Sequence, residues 1–509
     1  MRLSAGLLLL AITHAWAGDV QLSKEERQVE VEWLSSLGLK VREGGPLLDR
    51  PFDPPFTNRS LLVPTAWWRE APVREVAADA LRSDLPLLRA VMQKAYGGWF
   101  SAEKRGWDWD GWFADWDRDL ARKGSAKVSV REALGAIGKL MDFQLDNHTG
   151  AAGAASFGSG SRTAVIESTP RGACTEMETA EGNRFALDPQ DPAQAPKTAR
   201  IGDSQGYYFA YPARRGAANA IRCGGILNAA HVTWQNAKRE QVVADLAERP
   251  GGEPSYRKVS DTIGYLRLPT FSKQNGELLR KLLPTLPASA GHEKLLIVDL
   301  RGNDGGDAPM GSLARWLDPA ALRPAIKFNR RQLKSCLYDA LSWGYTQITS
   351  QGLKPPISDQ LRGIMQKQLD GLFSPSPEGC PVRIEEEHSI WNYSQHRFPA
   401  APKGNKPRLL VLVDNGCGSD CEYVAYVLAA SPGSVIAGEN TYGVGQFIQP
   451  GYLILPHSRL KFRIAMGMSD DYGDGRSFDG YGLDVDIVLD SEETQSATAI
   501  LRLAETLGR

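Results

Sequence analysis

From residue 262 onward, short apolar runs alternate with stretches of helical spacing. The runs at 263–268, 295–300, 409–413 and 435–437 have the length of buried strands, and 276–286 and 420–430 have helical periodicity. Such alternation predicts an α/β layer with at least some parallel strands. Over 75–147 the period is helical. Leu81, Leu85, Leu88 and Val91, then Trp109, Trp112 and Trp116, then Leu134, Ile137, Leu140 and Met141 recur at three- and four-residue steps. The tryptophan stripe reads as core rather than as a ligand site. Residues 18–70 mix charge, Pro and Leu without a strong period. Between 151 and 255 lie β-like runs at 164–167 and 207–211, a Gly/Ala-rich stretch at 150–160 and a Pro-, Asp- and Ala-rich loop at 186–200. The predicted organisation is a mainly helical domain 18–150, a small β-rich insert 151–255 and an α/β domain 256–509. An insertion at about 310–405, with helical 360–372 and turn-rich 374–381, interrupts the last.

The start of the chain has a different character. Met1 and Arg2 precede an apolar run at 3–12 that ends in Ala15-Trp16-Ala17, the pattern of a signal peptide cut after residue 17. The run is too short to cross a bilayer, and no later segment is long and apolar enough to do so. The expectation is an exported protein, periplasmic or secreted. A net charge of −1 over 509 residues gives no reason to expect nucleic acid or an anionic membrane as partner. Six cysteines in an exported chain are compatible with disulfides, and proximity suggests Cys174–Cys223, Cys336–Cys380 and Cys417–Cys421. Their spacing does not form a zinc tetrad, and the acids after residue 470 do not fit a calcium loop, so no metal or other cofactor is expected. Oligomeric state is open.

Candidate chemistry begins at Asn415-Gly416-Cys417-Gly418-Ser419-Asp420-Cys421-Glu422, between the run 409–413 and the helical pattern after it. Strand, small-residue turn and helix expose a serine hydroxyl at a helix N-terminus, where backbone N–H groups can hold an oxyanion. The segment alone fits an N-cap serine equally well. A second strand-turn, 295–300 into Arg301-Gly302-Asn303-Asp304-Gly305-Gly306, clusters glycines where backbone can approach closely. A third segment is Asp146-Asn147-His148-Thr149, and a fourth runs from Ser477 through Asp479 and Gly480 to Asp486.

With the pieces at 263–271 and 438–445, these segments occur in the order of the C-terminal-processing (tail-specific) serine peptidases. The chain resembles that family, which includes the tricorn protease core and the retinoid-binding interphotoreceptor protein. The resemblance implies a ClpP/crotonase-like catalytic core of α/β class and hydrolysis of polypeptides through an acyl-enzyme. Many members use a Ser-Lys dyad, but Val444 stands at the lysine position here and cannot take a proton. The tricorn-like branch uses a histidine and an acid, which implies Ser419 as nucleophile, His148 as base and Asp479, in place of the usual Glu, as acid. The same resemblance assigns the oxyanion hole to Asp420 N–H with Gly305 or Gly306. Glu422 is a rival acid, read as a structural residue of the helix start, and Asn147 is a candidate to orient the acid. No carboxylate-binding loop of a PDZ domain is evident in 151–255. Two alternatives remain: a catalytically silent binding protein of the same fold, and a hydrolase of small esters or amides.

Overall fold

The computed structural model describes residues 23–40, 56, 58–152, 161–166, 174–179, 184–187, 197–201, 204–212, 218–223, 232–235, 252–286, 293–306, 313, 327–350, 355–372, 380–390, 407–429, 431, 433–470, 479–489 and 491–508. The predicted signal peptide, and most of the turn-rich stretch 374–381, lie outside them.

The fold is multi-domain α/β, with two large sheets. The first has ten strands, and its centre is parallel. In spatial order the parallel strands are Lys197–Ile201, Ile487–Val488, Val435–Gly438, Arg408–Val413, Leu295–Asp299 and Ile263–Arg267. Leu295–Asp299 is buried along its whole length and Arg408–Val413 along all but its first residue, as expected for strands covered on both faces. Asp420–Ala429 and Lys273–Leu282 are the helices predicted beside this sheet.

Strands from the 151–255 region extend this sheet. Ser204–Pro212 pairs antiparallel with Lys197–Ile201 and with Ser161–Ile166, and Val232–Gln235 closes the edge. The stretch 186–200, expected to be loop, ends in strand Lys197–Ile201, whose partner Ile487–Val488 is far away in sequence. Cys174 and Cys223 are register partners in a separate three-stranded sheet.

The second large sheet is antiparallel. It joins Arg383–Ile390, Lys327–Lys334, Lys461–Asp470 and Phe447–Ile454, with the short Gly150–Ala151 paired to Lys461–Asp470. The N-terminal helices pack on it. Ala78–Ala95 and Trp109–Lys123 share one core with Leu333, Phe447, Phe462 and Ile464, and that core contains Trp109, Trp112 and Trp116 as expected. The aperiodic 18–70 region contains the helix Lys24–Ser36. It is set by a capping box, Ser23 Oγ accepting from Glu26 N–H (3.1 Å) and Glu26 accepting from Ser23 N–H (2.8 Å), rather than by an amphipathic stripe.

Disulfides join Cys336 to Cys380 and Cys417 to Cys421. Among the described residues no helix is long and apolar enough to cross a membrane.

Candidate active site

Ser419 lies on the tight turn between strand Arg408–Val413 and helix Asp420–Ala429, with φ +55°. Left-handed backbone at a non-glycine residue costs on the order of 1–3 kcal/mol and persists only where its surroundings enforce it. Two devices do so. The Cys417–Cys421 bridge closes the turn covalently around the serine. The fully buried Glu422 accepts from Ser419 N–H (3.1 Å), Gly443 N–H (2.8 Å), Val444 N–H (2.8 Å) and the Thr441 hydroxyl. Glu422 is thus a tie between the serine turn and the 441–445 loop.

The glycine-rich turn is held against the serine turn by a second carboxylate. Asp414 Oδ1 accepts from both Gly302 N–H (2.7 Å) and Gly416 N–H (2.9 Å), and Gly418 N–H donates to Asn303 O (3.1 Å). Behind this turn lies a buried charge network. Asp299 accepts from Arg301 Nη2 (2.6 Å), Arg267 Nη1 (3.2 Å) and Tyr265 Oη (2.5 Å). Burial opposes its charge, yet the two guanidiniums hold its carboxyl well below the usual range.

Gly305, with φ +89°, meets the serine directly. A Cβ there would stand 2.9 Å from Ser419 Cβ, 3.0 Å from Asp420 N and 2.5 Å from Gly418 O. Its missing side chain leaves open the space beside Asp420 N–H, where an oxyanion would develop. The Gly305 N–H itself donates to Asn303 Oδ1 (2.9 Å), so it is already engaged. Gly306 bridges to Phe271, and Phe271 N–H donates to Gly305 O (3.0 Å), which fixes the outer side of the turn.

Gly443 connects the remaining segments. Its carbonyl accepts from Asn147 Nδ2 (3.5 Å) and Gly480 N–H (2.9 Å), while its N–H donates to Glu422. The histidine, acid and serine segments therefore meet on the backbone of one residue. Asp479, 2% exposed, accepts from Gln446 N–H (2.5 Å). Val444 is buried, with Cγ2 3.1 Å from where a Gly418 Cβ would be, so an aliphatic group sits beside the serine turn.

His148 follows an Asx-type turn. Asp146 Oδ1 accepts from His148 N–H (2.6 Å) and Thr149 N–H (3.2 Å), and Arg463 Nη2 donates to Asn147 O (2.9 Å). The chain beyond the histidine is anchored where Gly150–Ala151 pairs with Phe462 and Arg463. The imidazole is half-buried, and its Nδ1 is enclosed with no hydrogen bond. Burial, then the positive charge of Arg463, push its pKa down to about 3, so it is neutral at pH 7. The ring makes no hydrogen bond to Ser419 or Asp479. The segments come together, but the three side chains are not linked as a hydrogen-bonded chain. Among the described residues no group of His, Cys, Asp or Glu is placed to hold a metal ion.

The sequence reading did not find Asp414, Asn303, Thr441 or Gly443. Their roles run through backbone groups of distant turns, though Thr441 and Gly443 belong to the 438–445 piece.

A strand-turn-helix serine, braced by a glycine turn on a parallel sheet, has the form of a serine hydrolase site. Residues 262–489 match the model of peptidase family S41. The α/β core that carries Ser419 matches that family in the order the motifs indicated, and the chain is a serine-type peptidase. The match starts after His148, so that residue stands outside it. No curated protein matches the chain. Similar solved structures include mature CPAF (13% identity, 85% of this chain and 97% of that chain, TM-score 0.42). Others are the photosystem II D1 C-terminal processing protease (16%, 84% and 98%, TM-score 0.36) and the tricorn protease (13%, 85% and 37%, TM-score 0.34).

Proposed function

We propose that this peptidase is exported and cleaves polypeptides through an acyl-enzyme on Ser419, with His148 as the base. The observation that carries this is the convergence of the histidine, acid and serine segments on Gly443. In the proposed cycle Ser419 Oγ attacks the scissile carbonyl as His148 takes its proton. The imidazolium then protonates the leaving amine, and water, activated by His148, hydrolyses the ester. Asp420 N–H holds the oxyanion, with Gly306 N–H as the second donor candidate because Gly305 N–H is engaged by Asn303, in the space that Gly305 leaves open. Asp479 stabilises the imidazolium, and Asn147 fixes the histidine loop to Gly443. The two disulfides and the N-terminal sequence support export. Cleavage near C-termini is the specificity the resemblance suggests.

A second reading, a silent binding protein, draws on the absence of a hydrogen bond from His148 to Ser419 or Asp479. Labelling with a fluorophosphonate separates the two. Rapid labelling of wild type, lost in Ser419→Ala and in His148→Ala, is the expected result. A folded wild type that resists labelling would overturn the peptidase mechanism, and a His148→Ala variant that labels at the wild-type rate would remove His148 as base.

A further inference from the structure

We infer that Arg463 is a positioning residue: its guanidinium holds the Asn147 carbonyl, and so fixes the loop that carries His148 with a positive charge beside it. This rests on the reading of His148 as base.

The strand Lys461–Asp470 holds the chain just beyond the histidine by pairing. Ala152 N–H donates to Lys461 O (2.8 Å), and Ala151 and Gly150 are register partners of Phe462 and Arg463. Ala465 N–H donates to Thr149 Oγ1 (3.1 Å). The paired backbone ends at Gly150, and Asn147 and His148 lie outside it. The Arg463 side chain reaches past that end, its Nη2 donating to Asn147 O (2.9 Å). On the other side the Asn147 amide reaches Gly443 O (3.5 Å), and Gly443 N–H shares Glu422 with Ser419 N–H. The residue before the proposed base is thus fixed between the antiparallel sheet and the loop tied to the serine turn. His148 N–H is held in turn by Asp146 Oδ1 (2.6 Å).

Sheet structure alone does not account for this guanidinium. Arg463 is half-buried, its Nε is enclosed with no hydrogen bond, and among the described residues no carboxylate forms an ion pair with it. Enclosing a charge and leaving a donor unbonded both cost stability. An aliphatic residue would fill the strand position without that cost. What the guanidinium adds is a charge-assisted bond to the Asn147 carbonyl, stronger than a neutral donor would make. It also adds a cation next to the imidazole. After burial, Arg463 is the group that disfavours the imidazolium. The other titratable groups around the loop are Asp146 on the loop itself, Tyr96 at the end of helix Ala78–Ala95, Asp479 on the acid segment, and Arg105. Displacing a catalytic group by about 1 Å can cost on the order of 100-fold in rate, so a side chain that sets the loop before His148 has kinetic weight.

The test measures the second-order rate constant for fluorophosphonate labelling of the full chain against pH, beside urea unfolding of each protein. The proteins are wild type, Arg463→Met, Arg463→Lys, Arg463→Gln and His148→Ala. Arg463→Met keeps an apolar stem and removes both bond and charge, and it is expected to label about 10-fold more slowly at neutral pH. Its acid limb is expected to move up from about 3, because the imidazole no longer faces a cation. Asp146, on which Arg463 also acts, shifts in the same direction. Arg463→Lys keeps the charge without the planar fork, so its acid limb is expected at the wild-type position and its rate between those of wild type and Arg463→Met. Wild-type rate and pH profile in folded Arg463→Met would overturn the inference. So would a slower Arg463→Met with an unmoved acid limb and a lowered urea midpoint, since the arginine would then only support the fold. An Arg463→Met variant that does not fold leaves the decision to Arg463→Gln, which keeps a donor, removes the charge and must then show the raised acid limb. His148→Ala that labels normally removes the underlying reading and the inference together. His148→Ala without labelling, beside Arg463→Met at full rate, removes the inference alone.

Discussion

Replacing Glu422 by Gln keeps the size of the side chain and removes the charge that four donors share. Oε1 serves Gly443 N–H and Thr441, and Oε2 serves Ser419 N–H and Val444 N–H. An amide keeps one oxygen. Its NH2 must then face either the pair on the 441–445 loop or the pair that includes Ser419, and N–H meets N–H. Two charge-assisted bonds are lost, at about 1.5–3 kcal/mol each, around a fully buried side chain. The expected destabilisation is about 3–6 kcal/mol, a large share of the roughly 5–15 kcal/mol that holds a typical domain folded. The kinetic effect is more specific. Ser419 depends on Glu422 to hold its positive φ, so labelling should fall by on the order of 100-fold even where the variant remains folded. Urea unfolding gives the first number and the fluorophosphonate rate constant the second. Unfolding within about 1 kcal/mol of wild type, together with full labelling, would refute the claim that these bonds hold the serine turn.

The geometry predicts three further outcomes. Gly305→Ala puts a methyl 2.5 Å from Gly418 O at φ +89°, so labelling should be abolished and the urea midpoint lowered. Cys417→Ala with Cys421→Ala opens a ring with a separation of four residues, worth about 2 kcal/mol in chain entropy, and should lower both urea stability and labelling rate. Asp84, buried under Ser458 and His457, has its pKa pushed up from 3.8 to about 7 by burial, against the pull of the Ser458 hydroxyl and the Ser458 and His457 N–H groups. Its folded pKa exceeds its unfolded one, so its contribution is full below pH 3.8 and is lost as pH rises through 7. The stability of wild type minus that of Asp84→Asn should fall across that window by on the order of 4 kcal/mol, and a flat difference would refute the assignment.

The serine turn was legible because its signals are local: an apolar run, small residues and a helical pattern within about twenty positions. The alternating strands of the α/β core were legible for the same reason. The helix at Lys24–Ser36 was missed although Ser23 and Glu26 spell a capping box, because its packing gives little periodicity. Strand Lys197–Ile201 was not legible either, because the Pro-, Asp- and Ala-rich residues before it read as loop, while it pairs with Ser204–Pro212 beside it and with Ile487–Val488 far along the chain. The candidate site divides the same way. Ser419, Gly305 and Glu422 could be named from their motifs, but the use of Glu422 as a four-donor tie depends on a loop about twenty residues on. The engagement of Gly305 N–H by Asn303 is a side-chain choice that no pattern encodes.

The two halves of the proposed mechanism belong to different sheets. Ser419, Gly305 and Glu422 hang from the parallel sheet. His148 is fixed by its neighbours Gly150 and Ala151 on the antiparallel one. Residues 439–446 leave the first sheet after Val435–Gly438 and enter the second at Phe447–Ile454. This loop is buried, and its polar side chains are tied down. Asn440 Nδ2 donates to Tyr481 O (2.8 Å), and Thr441 Oγ1 accepts from Leu483 N–H (2.6 Å) while it donates to Glu422. This buried loop therefore links the sheet that bears the proposed nucleophile to the sheet that bears the proposed base. A change that leaves both sheets intact but slackens this connection should reduce acylation with little loss of stability. That combination is the signature by which the loop's positioning role can be told apart from a role in folding.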